Sequence, residues 1–555
     1  MKFEKLSKFD YITLIPILLV SIILYNLTIH RINPFEFDTA VYYSIFNNLI
    51  STGKVLIPIV SRNIAYVCDP SLTCSYVHPD IIGQQIYEQL PPDYTSGITI
   101  LFLPAFLHNL LEIFAKNNLS LNYFTQLYAA GASIMYGISS YFLLRLSNAN
   151  LQKVFIYLLI TFITNLTLIQ ISSNGIIGEL YSSILLSEVA VITLLTFNNL
   201  RSLRLCLLSS LLLGISIECK ITSVFPVFTI ILIILINDYI NNRELKRLIF
   251  AITAIALPKI IALLYYTYIL DFSASNLLNY LYSAKTIYSL NANLGLNWGQ
   301  SSISGQVNSL LSNELVRSII FLSFIFYISS LLINIKLKNK RLLILNLVVL
   351  FALISSLIYP LTFKFPYTRI FSSFISLVPT CILLFIFSLQ SIKILEKWKY
   401  LIPFIILIPL GIHTYFYRPM VFPLFKLLYE NKFQPISNSY QSLDIPKDAV
   451  FLSPHFFSMP WDAYLSSVLD NTKPLDQHSI YSEQSYGGNS HHANTMKVNN
   501  IYMLETCRWE HCSKDKKISK YIKTGEKDIF EEIFCTLIPP KNIDSIYKIY
   551  SCSKK

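Results

Sequence analysis

Long apolar stretches recur along the chain from Tyr11 to Tyr417, separated by short polar links. Runs such as Tyr11 to Ile29, Ile319 to Ile333 and Tyr400 to Tyr417 approach the roughly 20 residues with which a helix crosses about 30 Å of hydrocarbon. Their β-branched residues do not argue for strands, because an open sheet edge finds no hydrogen-bonding partner in lipid. The pattern predicts spans at about 11–29, 123–144, 153–171, 180–198, 204–219, 221–237, 248–270, 318–335, 342–361, 370–390 and 400–417, roughly eleven crossings. Residues 98–115 are also apolar but short, and Pro104, His108 and Glu112 interrupt them, so they read either as a span or as a helix lying at the interface.

Charge decides between those two readings. With the N-terminus, carrying Lys2, Lys5 and Lys8, in the cytoplasm, the first helix runs outward and residues 30–122 form a long first outer loop. Keeping 98–115 at the interface then puts Arg145 with Lys153, Arg201 with Arg204, Arg243 with Lys246 and Arg247, Lys336 through Arg341, and Lys393 through Lys399 all inside; counting it as a span inverts most of them. No small-x-small cleavage site precedes His30-Arg31, so the first run reads as a retained helix rather than a signal peptide. The expected fold class is thus an α-helical polytopic membrane protein, multi-pass in a plasma membrane (a bacterial inner membrane), with a transmembrane domain over 1–418.

From about Arg418 apolar density falls, and the same threading leaves 419–555 outside. That length suits one small domain. Short apolar stretches such as Ala449-Val450-Phe451-Leu452, between Pro446 and Pro454, predict an α/β or α+β module. No internal repeat and no low-complexity linker is visible.

Composition agrees with lipid as the solvent for most of the chain: 53% hydrophobic, 14% charged, mean hydropathy +0.51. The formal charge of +12 does not imply nucleic acid as a partner, because the basic residues sit in clusters between apolar runs, where they orient a membrane protein. Cys68 and Cys74 fall in the first outer loop and Cys507, Cys512, Cys535 and Cys552 in the outer domain, whereas Cys206, Cys219 and Cys381 lie in apolar spans. An even number outside fits disulfides in an oxidising compartment, with unpaired thiols as the alternative; zinc is disfavoured because His511 beside Cys512 lacks a complete finger spacing. His78 and His491-His492 lack companions for a metal site.

Candidate chemistry begins just past the first helix, in Pro34-Phe35-Glu36-Phe37-Asp38-Thr39-Ala40-Val41-Tyr42-Tyr43-Ser44-Ile45-Phe46-Asn47-Asn48-Leu49. Asp38 stands ahead of an aromatic amphipathic stretch suited to the bilayer surface, where a carboxylate reaches lipid headgroups; taken alone it reads equally as an acidic N-cap. An acidic residue after helix one, followed by Ala-x-Tyr-Tyr and Asn-Leu close to Gly53, resembles the first-loop motif of type C glycosyltransferases, in particular the aminoarabinose transferase and protein mannosyltransferase group. Pro91-Pro92-Asp93-Tyr94-Thr95-Ser96-Gly97 leading into Leu101-Phe102-Leu103-Pro104 is similar to the Pro-rich entry of that superfamily's second juxtamembrane helix. Gly178-Glu179-Leu180-Tyr181 resembles its acidic second outer loop. Gly214 through Cys219-Lys220 resembles its Gly-rich helix ending in Thr-Lys, with Cys219 replacing Thr, and Lys364-Phe365-Pro366-Tyr367-Thr368-Arg369 resembles its late Arg-Tyr element. The likeness runs in order to about residue 390 and leaves the C-terminal domain uncovered.

The resemblance implies transfer of a sugar, with inversion, from a polyprenyl-phosphate donor to an extracytoplasmic glycan, lipid or protein. Asp38 would be the general base or acceptor-orienting carboxylate, and Glu179 would hold the acceptor or, with Asp38, a divalent cation; metal dependence stays open. Departure of a phosphate calls for cations at the outer headgroup level, and Lys220, Lys364 and Arg369 are the candidates. Tyr42 and Asp93 join them as substrate-binding candidates, with Glu36 and Glu88 as lesser ones in the same loop, and Trp298, in a loop at about 271–314 with Lys285, Asn297 and Gln300, could stack on a sugar face. Plainer readings stand beside each: Glu179 as a helix N-terminal carboxylate, Lys364 and Arg369 as snorkelling residues, Trp298 as an interface anchor. A multi-span transporter or flippase is the competing function class; its usual pseudo-repeats and midplane polar breaks are not evident. A polymerase or ligase of lipid-linked glycans would concentrate arginines in a large mid-chain outer loop, and 271–314 has none.

Overall fold

A computed structural model of the chain describes residues 8–32, 39, 42–43, 45–46, 49–50, 53–55, 66–68, 74–76, 97–113, 121–172, 176, 178–197, 202–242, 245–269, 303–363, 368–416, 450–453, 479–482, 501–506, 515–524, 527–539 and 547–554. Its first part is helical: α1 Lys8–Arg31, α2 Thr99–Glu112, α3 Leu121–Leu146, α4 Leu151–Ser172, α5 Gly178–Leu195, α6 Leu203–Cys219, α7 Val224–Asn242, α8 Leu245–Ile269, α9 Ile303–Ser312, α10 Glu314–Lys336, α11 Lys340–Phe363, α12 Ser372–Leu377, α13 Thr380–Gln390 and α14 Ile402–Phe416.

Among the described residues eight helical stretches are long and apolar enough to cross a membrane: Thr13–Arg31, Tyr123–Leu146, Leu151–Ile171, Gly178–Leu195, Leu245–Tyr268, Glu314–Lys336, Lys340–Ile358 and Arg369–Gln390. These coincide with eight of the expected spans. The other three expected spans, at 204–219, 221–237 and 400–417, meet α6 with 17 residues, α7 with 19 and α14 with 15, all helical. Helix α2, with 14 residues, rises only about 21 Å. That falls short of the roughly 30 Å of hydrocarbon, as does α14 with its 15 residues.

Helix α5 is the axis of the bundle. All its residues are buried, and it packs against α3, α4, α6 and α12. Small and hydroxylated residues let the neighbouring backbones close in: Ser216 on α6 donates to the Ser182 carbonyl at 2.8 Å, and Tyr181 donates to the Tyr128 carbonyl of α3 at 2.7 Å while stacking on the Tyr128 ring at 4.7 Å. Helix α8 is the opposite case. It presents Leu257, Ile260, Ile261 and Leu264 outward, as a helix bathed in lipid does without penalty. A second packed group joins α10, α11 and α13, where Ser330, Asn334, Asn346 and Ser388 hydrogen-bond across the interfaces.

The strands lie in two places. In the first loop β1 Tyr66–Cys68 pairs antiparallel with β2 Cys74–Tyr76. Toward the C-terminus β3 Val450–Ser453, β4 Ser479–Ser482, β5 Ile501–Thr506, β6 Asp515–Thr524, β7 Lys527–Ile538 and β8 Tyr547–Lys554 form one sheet in the order β4-β3-β5-β8-β7-β6. The β3 ladders to β4 and β5 are parallel and the rest antiparallel, which makes the sheet mixed. Parallel neighbours need crossovers of a dozen or more residues, and the links 454–478 and 483–500 are long enough. Edge strand β6 carries Lys516, Lys517, Lys520 and Lys523, charges that discourage pairing with another chain.

Candidate functional site

Several loop and helix ends converge at one end of the bundle. The C-terminal end of α1 meets that of α4, where Arg31 Nη2 donates to the Gln170 carbonyl at 3.3 Å. A few residues on, Thr39 Oγ1 accepts from the Ile176 amide at 3.0 Å, which fixes the start of the first loop to the link between α4 and α5. Tyr42, Tyr43, Ile45, Phe46 and Leu49 follow, helical and buried. Phe46 stacks on Phe124 of α3 at 4.6 Å and lies edge-on to His108 of α2 at 6.2 Å. Within the aromatic stretch, Tyr43 and Phe46 thus pack against protein, with ring partners on α2 and α3.

Glu179 and Lys220 meet on the same end. Lys220 caps the C-terminus of α6 in an extended conformation and leads into a short 3-10 turn, Ile221–Ser223, so its side chain leaves the helix axis toward the first turn of α5. Its Nζ stands 3.4 Å from Glu179 Oε1, with both side chains nearly out of solvent. Glu179 Oε2 is buried with no hydrogen-bond partner, and Ser183 Oγ, one turn further along α5, and Thr222 Oγ1, two residues after Lys220, are in the same condition. A buried polar atom without a protein partner calls for an explanation, and a bound ligand or an ordered water supplies one.

The peptide before Lys220 ties in a third element. Glu218 accepts from the Ile98 amide at 2.7 Å, from the Thr99 amide at 3.3 Å and from the Thr99 hydroxyl, so it satisfies the free N–H groups at the start of α2. The Gly97 amide donates to the Cys219 carbonyl at 3.1 Å. Residues 218–220 therefore hold α2 on one side and the Glu179 turn on the other. Tyr265, near the end of α8, closes the group by donating to the Gly53 carbonyl at 3.1 Å and accepting from the Val55 amide at 2.9 Å.

Of the residues singled out in the sequence, the structure joins Glu179 to Lys220 and buries Tyr42. Arg369 is half-buried in a 3-10 turn, Thr368–Phe371, next to α12, which packs along α5. Asp38, Asp93, Lys364 and Trp298 lie outside the described residues; Thr39, directly after Asp38, is anchored at Ile176, three positions before Glu179. Glu218 was not singled out. Its signal in the sequence is a charge at an apolar helix end beside Lys220, and the partner that gives it meaning is 120 residues away. Nor was Glu188, buried in the middle of α5, whose carboxylate accepts from Ser140 at 2.7 Å and from Ser139 on α3. Among the described residues no three His, Cys, Asp or Glu side chains converge as metal ligands.

The class this fold defines is a polytopic helical membrane protein with eight candidate spans. Beyond that class, no family model matches the chain, and no curated protein is significantly similar to it.

Proposed function

We propose that the chain is a membrane glycosyltransferase of type C architecture, moving a sugar from a polyprenyl-phosphate donor to an acceptor outside the cytoplasm. The observation that carries this reading is the buried Glu179–Lys220 pair with its bare Glu179 oxygen, set at the same bundle end as the anchored Thr39. Lys220 is suited to receive the departing phosphate charge, and a cation in a water-poor site stabilises an anion far more than in bulk water. Asp38 acts as general base or orienter for the acceptor, Glu179 holds an acceptor hydroxyl through its free oxygen, and Arg369 adds positive charge from the α12 side. Lys364, Tyr42, Asp93 and Trp298 remain substrate-binding candidates, the N-terminus is cytoplasmic and the β-sheet segment extracytoplasmic. Lipid is the solvent, and no nucleic acid partner is invoked.

The purified protein, given a polyprenyl-phosphate sugar and a mixture of envelope acceptors, tests this directly. Asp38→Asn is expected to lower transfer at least about 100-fold, the usual contribution of a positioned base. Transfer by that variant at the parent rate would remove Asp38 from the chemistry.

One observation favours the transporter alternative: Glu188, an acidic residue deep in a span, is of the kind that marks ion or substrate pathways. Movement of a labelled lipid-linked sugar across proteoliposomes without any new glycosidic product would support it over the enzyme.

A further inference from the structure

Four cysteines fall within described strands, and the backbone register sets each of them opposite another cysteine. In the first loop Cys68 ends β1 and Cys74 begins β2, and the two are direct cross-strand partners. In the C-terminal sheet Cys535 of β7 is the direct partner of Cys552 of β8. Neither pairing follows from the sequence, since six outer cysteines allow many connectivities. Opposed residues of an antiparallel ladder have Cα atoms about 4.5 to 5.5 Å apart, inside the range a disulfide spans without moving the backbone.

We infer that Cys68–Cys74 and Cys535–Cys552 are two cross-strand disulfides. In each, two thiols lose two protons and two electrons to an oxidising disulfide of a thiol oxidase, which leaves as a dithiol, and one S–S bond forms. The first bond closes the small loop 69–73, and the second staples the adjacent strands β7 and β8. Cys206, Cys219 and Cys381 offer the contrast within the same chain: buried in the helices and joined in no disulfide, they stay thiols. Both pairs need the same oxidising compartment, to which the basic clusters independently assign the first loop and the C-terminal segment. It does not depend on the sugar-transfer reading and would survive its failure.

The test is alkylation of the full-length protein in detergent, under denaturing and non-reducing conditions, followed by peptide mass spectrometry. Cys206, Cys219 and Cys381 should be fully alkylated, whereas Cys68, Cys74, Cys535 and Cys552 should become so only after reduction. The peptides of Cys535 and Cys552 should appear linked, and that of Cys68 and Cys74 should run lighter by two hydrogens. Cys552→Ser should make Cys535, and not Cys68 or Cys74, newly alkylated. Full alkylation of the four without reduction, a link from Cys535 to Cys507 or Cys512, or stoichiometric zinc released on alkylation would each overturn the assignment.

Discussion

A single methyl group is enough to probe how tightly the candidate site is assembled. A Cβ at Gly97 would run into the backbone oxygen and carboxylate of Glu218, and one at Gly178 into the carbonyl of Cys219, so both positions admit only hydrogen. At Gly178 the nearest obstacle is backbone, which cannot swing aside. Gly178→Ala should therefore cost about 1 to 3 kcal/mol, read as a lowered unfolding temperature in detergent. Lys220 and Glu179 make a sharper pair of probes. Removing the lysine alone strands a carboxylate in a dry interior, which typically costs about 3 to 5 kcal/mol, whereas removing both charges is often close to neutral. Lys220→Met should destabilise the protein strongly, and Glu179→Gln combined with Lys220→Met should recover most of the loss. Additive effects in that double-mutant cycle would mean the two side chains do not interact.

At the scale of elements, α2 is the piece whose position depends on one side chain. It lacks a side-chain cap of its own, and Glu218 from α6 accepts from its first amides instead. Glu218→Gln turns a donor NH2 toward those donors and should cost about 1 to 3 kcal/mol of docking energy. Hydrogen exchange reads this locally: amides 98 to 101 should exchange faster in the variant while those of α5 keep their protection. Uniform protection in both proteins would show that α2 is held by its apolar contacts alone. The amphipathic stretch after Asp38 follows the same logic. Its aromatic residues suggested a helix on the lipid surface, yet Tyr43 and Phe46 are wholly buried, because Phe124 and His108 offer ring partners that lipid does not.

For the whole molecule the main prediction is sidedness. Helices α10 and α11 form a hairpin whose polar link begins at Lys336, and Glu314 and Lys340 stand exposed at opposite ends of α10 and its neighbour. In a background without the native cysteines, Lys340→Cys should react with an impermeant maleimide only after the membrane is opened to the cytoplasmic face. Glu314→Cys should react in intact cells. The reverse pattern would invert the threading and take the candidate site to the cytoplasm with it.

The sequence alone determined that this chain lives in lipid and where most of its crossings fall, since the thickness of the hydrocarbon layer imposes a length and an apolarity that can be counted residue by residue. It also exposed Glu179 and Lys220 as charges set against apolar runs. That these two touch, that Glu218 serves α2 and that Cys535 faces Cys552 were decided only by the tertiary structure. Each is a contact between distant parts of the chain, fixed by how helices and strands pack and register, and local pattern carries no record of that.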